Sequence, residues 1–303
     1  MNPAAQSRRE FLSLSAAAVA AAYAPAFTHA QAPAALPLIS RAIPASGEKL
    51  PVIGIGTDAF SRDLSEDITA ELKRMTELGG TVIDTAAAYG DSEEIIGQAL
   101  ATLGTRDKMF IATKLVGSGG AESFARSQQR LRSQRIDLLQ IHNLNGVADL
   151  LPMMQQWKTA GKIRYIGVTT SRGSQHAELI GVMRSHPLDF IQVDYSLANR
   201  EAADVVLPLA LERKMAVLIN LPFGRSSLFQ QAAGRQLPPW AADIDVTSWG
   251  QYFLKYVVSH PAVTCAIPGS TKLSHLIDNQ GAGRGRLPDA AMRRRMEEFW
   301  DKP

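Results

Sequence analysis

Short apolar runs rich in β-branched residues recur along the chain at a nearly constant spacing. They begin near Val52, Thr81, Met109, Ile136, Ile163, Asp189, Ala216 and Ala262. The first seven lie 26 to 29 residues apart, and stretches with helical periodicity, such as SEDITAELKRMTELGG, separate them. Strands that alternate with amphipathic helices form parallel βα units. Eight such units over about 250 residues predict an α/β fold, a closed (β/α)8 TIM barrel, rather than an open doubly wound sheet.

Two segments outside the regular repeat refine the domain plan. ISRAIPASGEKLPV at 39–52 predicts an N-terminal β-hairpin, because two apolar stretches flank a turn rich in Pro, Ser and Gly. The last interval is longer by about twenty residues, and the excess, FGRSSLFQQAAGRQLPPW at 223–240, follows the seventh strand, where insertions lie on a barrel's catalytic face. We therefore expect one barrel domain over residues 38–303, preceded by a Pro-rich linker at 31–37.

Residues 1–30 are typical of an export signal. Arg8 and Arg9 precede a mildly apolar, Ala-rich run that ends in small residues, and this pattern resembles a twin-arginine signal peptide. We expect cleavage after Ala30, with Ala26 as the alternative, and the run is too short and too weakly apolar to span a membrane. The expected protein is periplasmic, folds before export and has no membrane association once the signal is removed. A plain Ala-rich tail is the competing interpretation.

Charge and composition exclude several classes of function. The formal net charge is +3, of which Arg8, Arg9 and Glu10 contribute +1. The remainder is too small for nucleic acid or an anionic surface to be the main partner. The single Cys265 excludes an intramolecular disulfide and is interpreted as a packing residue. A Rossmann site, a metal site and a hydrolase are not indicated, because no G-x-G-x-x-G, metal-spaced His/Asp cluster or catalytic carboxylate pair stands at the strand ends.

Polar residues stand at the predicted carboxyl ends of the strands, where the active sites of barrels form. Asp84, Lys114 and His142 close three consecutive apolar strands, and Tyr89 follows Asp84 by five positions, enough for its loop to return over the barrel mouth. The other ends supply Thr57, Asp58, Thr169, Thr170, Gln192, Asp194, Asn220 and Ser270. Singly, each of the four has a structural interpretation, such as a packed loop tyrosine or a solvated lysine. Jointly they predict one catalytic site.

At these residues the sequence resembles the aldo-keto reductase family. The resemblance begins near residue 38, and its main segments are DTAAAYGDSEEIIG at 84–97, ATK at 112–114, DLLQIH at 137–142, IQVDYSLANR at 191–200 and IPGSTKLSHLIDNQGA at 267–282. The first segment is highly specific, whereas ATK alone is weak. The resemblance implies an NADPH-dependent reductase of aldehydes or ketones with a catalytic tetrad at Asp84, Tyr89, Lys114 and His142.

The implied reaction needs these residue types. Hydride transfer to a carbonyl carbon leaves negative charge on the oxygen, which must be met by positioned hydrogen-bond donors and by a proton. Tyr89 is the implied proton donor, and the ammonium of Lys114 is expected to lower the pKa of its phenol toward the working range. We expect Asp84 to pair with Lys114, and His142 to donate a second hydrogen bond that orients the substrate oxygen.

The resemblance also implies which residues bind the coenzyme. It places the nicotinamide carboxamide at Gln192, the adenosine ribose and its phosphate at Ser270, Lys272 and Asn279, and Thr169 and Thr170 at coenzyme positions usually filled by Ser and Asn. Phe223, Gly224, Arg225 and Ser226 are the predicted pyrophosphate residues. The FGRSSL segment offers a flexible backbone, a cation and hydroxyl groups, which suit a pyrophosphate; an ordinary surface loop is the alternative. Lys272 favours NADPH, and NADH stays open because Gly269 replaces a lysine found in some branches.

Two positions depart from the family pattern. Asn220 stands where many members have an aromatic residue that stacks on the nicotinamide. Asp58 stands where many have another aromatic residue, and two consequences are open: a preference for a polar substrate, or a changed electric field at the tetrad.

The sequence leaves two functions open. The first is an exported NADPH-dependent reductase with a small carbonyl substrate. The alternative is a nicotinamide-binding redox sensor or partner subunit with little turnover, which the export signal favours because free NADPH is expected to be scarce outside the cytoplasm. The sequence does not indicate the substrate, the direction of the reaction or the oligomeric state.

Overall fold

A computed structural model describes residues 36–117 and 119–302 of the chain. From Pro37 onward the described residues belong to one compact unit. The predicted signal peptide at 1–30, and the linker apart from its last two residues, lie outside the described residues, so both stay predictions. None of the helices in the described part of the chain is long and apolar enough to cross a bilayer.

Strands and helices alternate along the chain. The strands are β1 (Ser40–Ala42), β2 (Lys49–Pro51), β3 (Ile55–Gly56), β4 (Val82–Asp84), β5 (Phe110–Leu115), β6 (Ile136–Ile141), β7 (Ile163–Thr169), β8 (Phe190–Asp194), β9 (Ala216–Asn220) and β10 (Cys265–Ala266). The α-helices are α1 (Ser65–Glu77), α2 (Ser92–Leu103), α3 (Gly120–Arg130), α4 (Val147–Thr159), α5 (His176–Ser185), α6 (Val206–Glu212), α7 (Ser227–Gln231), α8 (Trp249–Val258), α9 (Leu273–Ala282) and α10 (Ala290–Asp301). Short 3-10 helices span Arg62–Leu64, Arg106–Lys108, His142–Leu144, Gly173–Gln175, Glu201–Ala203 and Pro239–Ile244. An α-helix follows every strand from β3 to β10.

Strands β3 to β10 form one parallel sheet in chain order. The sheet closes on itself, because parallel bridges join Ile53 to Ala266 and Gly56 to Gly269. Strands β1 and β2 pair in antiparallel fashion as a separate hairpin. The predicted (β/α)8 TIM barrel with an N-terminal hairpin is therefore confirmed.

Side-chain alternation along the strands decides what fills the barrel and what lies at its mouth. Residues two apart on a strand face the same side of the sheet. The barrel interior is filled by Ile43, Leu50, Val82, Phe110, Ala112, Leu138, Tyr165, Phe190, Ala216, Leu218, Cys265 and Ile267, all buried. Two positions beyond Val82, Ala112 and Leu138, the same series reaches Asp84, Lys114 and Gln140. The pattern that packs the barrel thus ends in polar side chains at the carboxyl end.

The hairpin is tied to the opposite, amino-terminal end of the barrel. Arg164 of β7 forms ion pairs with Glu48 of the hairpin and with Asp137, the latter at 3.0 Å between Nη1 and Oδ1. The hydroxyl of Tyr165 donates to Glu48 Oε2 at 2.9 Å and lies 2.7 Å from Ser46 Oγ. The hairpin therefore occupies the amino-terminal end of the barrel, and the predicted catalytic residues lie at the carboxyl end.

The packing of α2 against α3 requires Gly97, the last residue of the segment DTAAAYGDSEEIIG. A Cβ atom on Gly97 would lie 2.1 Å from the carbonyl oxygen of Arg130, where α3 ends. Only a residue without a side chain allows the two helices to approach this closely. The glycine therefore sets the position of α2, whose first turn follows directly after the loop that carries Tyr89.

Candidate active site

A cavity of about 490 Å³ opens at the carboxyl ends of the strands. The predicted site residues that line it are Asp84, Tyr89, His142, Gln192, Phe223, Arg225 and Ser226. Lys114 lies beneath the cavity, bonded to Asp84. Thr169, Thr170, Gly224, Ser270, Lys272 and Asn279 do not line it. The structure thus brings the tetrad together with four of the predicted coenzyme residues.

Asp84 and Lys114 form a buried ion pair. The Nζ atom of Lys114 lies 2.5 Å from Asp84 Oδ2, and the two side chains are 0% and 3% exposed. Nζ also donates to the carbonyl oxygen of Thr85 at 2.8 Å. A pair removed from water in this way is screened very little by salt. The expected partnership is present, and it fixes a positive charge under the cavity.

Two amide side chains hold the other oxygen of the Asp84 carboxylate. Oδ1 accepts from Gln192 Nε2 at 2.7 Å and from Gln140 Nε2 at 3.3 Å. Gln140 is fully buried, and the sequence analysis did not select it. A signal was present, since Gln140 lies two positions beyond Leu138 in β6 and therefore shares the inward face of that strand. Gln192, expected to bind the nicotinamide carboxamide, uses its amide group here to orient Asp84.

Tyr89 is half-buried between the charge of Lys114 and the ring of His142. Lys114 Nζ lies 5.0 Å from the centroid of the tyrosine ring, and the His142 ring stands edge-on to it at a centroid separation of 5.7 Å. Burial raises the pKa of Tyr89; the Lys114 charge opposes this, and the charges of Asp84 and Asp58 add to it. The expectation of a lowered pKa is therefore wrong for the protein alone, because lost hydration outweighs Lys114. The phenol keeps its proton at neutral pH.

His142 is a neutral imidazole. Burial, together with the nearby charge of Lys114, lowers its pKa to about 4. The next residue, Asn143, has left-handed backbone angles (φ 51°), and its N–H donates to Thr169 Oγ1 at 3.1 Å. An uncharged imidazole can donate one N–H into the cavity without repelling Lys114. It therefore suits the orienting role and does not compete with Tyr89 as the acid.

A chain of hydroxyl groups fixes the loop that presents Tyr89. Thr57 Oγ1 donates to the carbonyl oxygen of Asp84 at 3.0 Å and accepts from Ser92 Oγ at 2.8 Å, and Ser92 Oγ is 3.0 Å from Thr85 Oγ1. All three hydroxyl-bearing residues are buried. These bonds join β3, the end of β4 and the start of α2, so both ends of the Tyr89 loop are anchored.

The predicted carboxamide site is built differently from the expected one. Thr169 Oγ1 accepts the hydrogen bond from the N–H of Asn143, and Thr170 Oγ1 donates to Gln175 Oε1 at 2.8 Å. Both hydroxyl groups are therefore hydrogen-bonded to neighbouring loops. Asn220 lines the cavity, and its Nδ2 donates to the carbonyl oxygen of Thr170 at 3.0 Å. Its Oδ1 is buried and has no hydrogen-bond partner within the described part of the chain. The cavity therefore has an amide here in place of an aromatic ring.

The FGRSSL segment forms one wall of the cavity. Gly224, Arg225 and Ser226 all have left-handed backbone angles, with φ of 54°, 54° and 70°. Phe223 packs on Phe229 at a ring separation of 4.8 Å, which anchors the segment. Arg225 lines the cavity and forms no ion pair with any described carboxylate. A strongly turned backbone beside an unpaired guanidinium suits an anionic group such as a pyrophosphate.

The three residues predicted for the adenosine end lie around α9. Ser270 and Lys272 precede the helix and Asn279 lies on it. Ser270 Oγ donates to Glu71 Oε1 of α1 at 3.1 Å and accepts from the N–H of Lys272 at 3.3 Å. Glu71 is fully buried, and burial raises its pKa. The sequence analysis did not select this carboxyl group, which fixes the Ser270 side chain.

Comparison with known proteins settles the family. The profile of the Aldo/keto reductase family matches residues 52–300. The chain belongs to this family. Methylglyoxal reductase YeaE of Escherichia coli (strain K12) is 30% identical over 259 residues, covering 80% of this chain and 89% of the relative. Aldo-keto reductase YhdN of Bacillus subtilis (strain 168) is 33% identical over 190 residues, or 55% of this chain and 56% of the relative.

Solved structures share the fold. An aldo-keto reductase from Klebsiella pneumoniae in complex with NADPH superposes with a TM-score of 0.75 at 23% identity, over 88% of this chain and 97% of that one. An aldo/keto reductase from the same organism, in complex with NADP and acetate, gives a TM-score of 0.73 at 23% identity, over 85% and 94%. The predicted family and the predicted enzyme class, an NAD(P)H-dependent oxidoreductase, are confirmed.

Proposed function

We propose that this protein reduces the carbonyl group of a small aldehyde or ketone with NADPH, and that Tyr89 is the proton donor. The observation that carries the proposal is the convergence of Tyr89, His142 and the buried Asp84–Lys114 pair at one cavity. A protonated phenol, a fixed ammonium and a neutral imidazole are the groups that a developing alkoxide needs.

Several features of the cavity fit a nicotinamide dinucleotide. Among the described residues, Asn220 Oδ1 has no hydrogen-bond partner near the predicted carboxamide position, and Arg225 forms no ion pair. Lys272 supplies a second cation at the predicted adenosine end, where a 2′-phosphate favours NADPH. The relatives support this assignment, since the Klebsiella pneumoniae proteins were solved with NADP and NADPH. When bound, the coenzyme supplies the hydride.

Tyr89 and its neighbours orient the substrate, donate the proton and stabilise the resulting phenolate. His142 donates a hydrogen bond to the substrate oxygen and so fixes the direction from which the carbonyl carbon is reached. Tyr89 donates its proton to the oxygen as negative charge develops there. Lys114 then stabilises the phenolate, and Asp84 keeps Lys114 in place through the 2.5 Å contact. Gln140 and Gln192 act one step further away, because they orient Asp84.

A variant comparison tests this function. Purified protein is mixed with NADPH and a panel of small aldehydes, including methylglyoxal because the relative YeaE is named a methylglyoxal reductase, and loss of nicotinamide absorbance is followed. We expect Tyr89→Phe to lower kcat by about 10²-fold or more, since it removes the acid. Tyr165→Phe is the matched control, because its hydroxyl bonds Ser46 and Glu48 at the far end of the barrel. Equal turnover by Tyr89→Phe and wild type contradicts the assignment.

We further propose that the protein acts in the periplasm. The support is the twin-arginine pattern at Arg8 and Arg9, followed by an apolar run. Cell fractionation of wild type and an Arg8→Lys/Arg9→Lys variant tests it. Wild type is expected in the periplasmic fraction and the variant in the cytoplasm; the same distribution for both overturns the proposal.

A further inference from the structure

Asp58 places a carboxylate on the rim of the active-site cavity. It follows β3 and lines the cavity together with Tyr89 and His142. Its Oδ1 lies 3.6 Å from the position that a Cβ atom on Gly269 would occupy, so the carboxylate rests against the backbone segment that closes the barrel. The side chain is exposed, and no described lysine, arginine or histidine forms an ion pair with it. Asp58 is therefore an unneutralised charge beside the reacting groups.

The other charges of the cavity already have partners or an assigned ligand. Asp84 is neutralised by Lys114 at 2.5 Å. Arg225, also on the cavity wall, is assigned to the coenzyme phosphates by the proposed function. His142 is uncharged at neutral pH, since its pKa is lowered to about 4. With coenzyme bound, Asp58 is the charge on the described cavity wall that is left for the substrate.

We propose that Asp58 selects carbonyl substrates that carry a positive charge, such as an ammonium group, and rejects those that carry a carboxylate. The inference rests on the proposed function, because it assigns a substrate class to the same site. A cation on the substrate would pair with Asp58 while its carbonyl oxygen lies against Tyr89 and His142. An anionic substrate would meet a like charge that no described lysine, arginine or histidine pairs with.

Three benzaldehydes that differ only at the para position test this directly. One carries a trimethylammonium group, one is neutral and one carries a carboxylate. The rate constant kcat/KM is measured for each with saturating NADPH, and the rates for the two charged aldehydes are divided by the rate for the neutral one. This division cancels any effect of Asp58 on the pKa of Tyr89. The variants are Asp58→Asn, Asp58→Glu and the matched control Asp107→Asn, an exposed carboxylate at the other end of the barrel.

The para group also changes the intrinsic reactivity of the carbonyl, and this contribution is the same in every variant. We therefore expect Asp58→Asn to lower the cationic-to-anionic ratio by at least about fivefold relative to wild type at low salt, the size of a close charge pair in a solvated site. Asp58→Glu should restore the wild-type ratio, and Asp107→Asn should leave it unchanged. Added NaCl should reduce the preference in wild type and have little effect in Asp58→Asn. A ratio that is the same in wild type and Asp58→Asn overturns the inference. Failure to reduce even the neutral aldehyde overturns the proposed function instead.

Discussion

Breaking the Asp84–Lys114 pair should destabilise the fold as well as the chemistry. The pair is 2.5 Å apart, with side chains 0% and 3% exposed. Removing one partner of such a pair costs about 3–5 kcal/mol, because the other charge stays buried. We expect Lys114→Met to cost an amount near the lower end of this range, since Gln140 and Gln192 still donate hydrogen bonds to the carboxylate. We expect the upper end for Asp84→Asn, because three donors then compete for one amide oxygen.

Denaturant unfolding followed by circular dichroism, with linear extrapolation to water, measures these free energies. The double variant Asp84→Asn/Lys114→Met should cost less than the sum of the singles by about 2 kcal/mol or more, because no charge is left buried. Arg74→Met is the control, since the Arg74–Glu77 pair has a similar 3.0 Å contact but is 42% and 46% exposed; it should cost less than about 1 kcal/mol. Single variants at Asp84 and Lys114 that each cost under about 1 kcal/mol, and that add, would refute the reasoning.

Three further predictions concern stability away from the cavity. Burial raises the pKa of Glu71, so its ionisation opposes folding above the ordinary value of 4.5. The free energy of unfolding of Glu71→Gln should therefore increase relative to that of wild type as the pH rises above 4.5, and parallel pH curves for the two proteins would contradict this. Burial lowers the pKa of Lys255 from 10.5 to about 8, so the folded state releases this proton at a lower pH than the unfolded state does. The free energy of unfolding of wild type should therefore rise between about pH 8 and 10.5, whereas Lys255→Met should show no such rise. Gly97→Ala should lower the free energy of unfolding by about 1–3 kcal/mol, because its Cβ would lie 2.1 Å from the Arg130 oxygen. A denaturation midpoint for Gly97→Ala equal to that of wild type would contradict this.

The barrel and the tetrad are readable from the sequence because both depend on local, periodic patterns. Strand spacing predicts the repeat, and the ends of successive strands place Asp84, Lys114 and His142 at one rim. Gln140 was predictable on the same grounds, because alternation along β6 places it on the inward face with Leu138, near the carboxyl end of the strand. Its side chain is uncharged, so charge alone does not distinguish it as a site residue.

Other features depend on three-dimensional burial and could not be read from spacing. Tyr89 has a raised pKa because lost hydration outweighs Lys114, a balance that only the packed loop determines. Gln192 orients Asp84, which reflects a side-chain contact between strands 108 residues apart in sequence. The bond from Ser270 to Glu71 likewise joins the last βα loop to the first helix of the barrel.

Isotope transfer tests the central claim most directly. Wild-type protein is incubated in ordinary water with a small aldehyde and NADPH that carries deuterium at the transferable position of its nicotinamide, and the alcohol is analysed by mass spectrometry and NMR. We expect one deuterium on the carbinol carbon of the product, a primary isotope effect on the single-turnover rate, and very little product with Tyr89→Phe. An alcohol without deuterium, or equal labelled product from Tyr89→Phe, would contradict it.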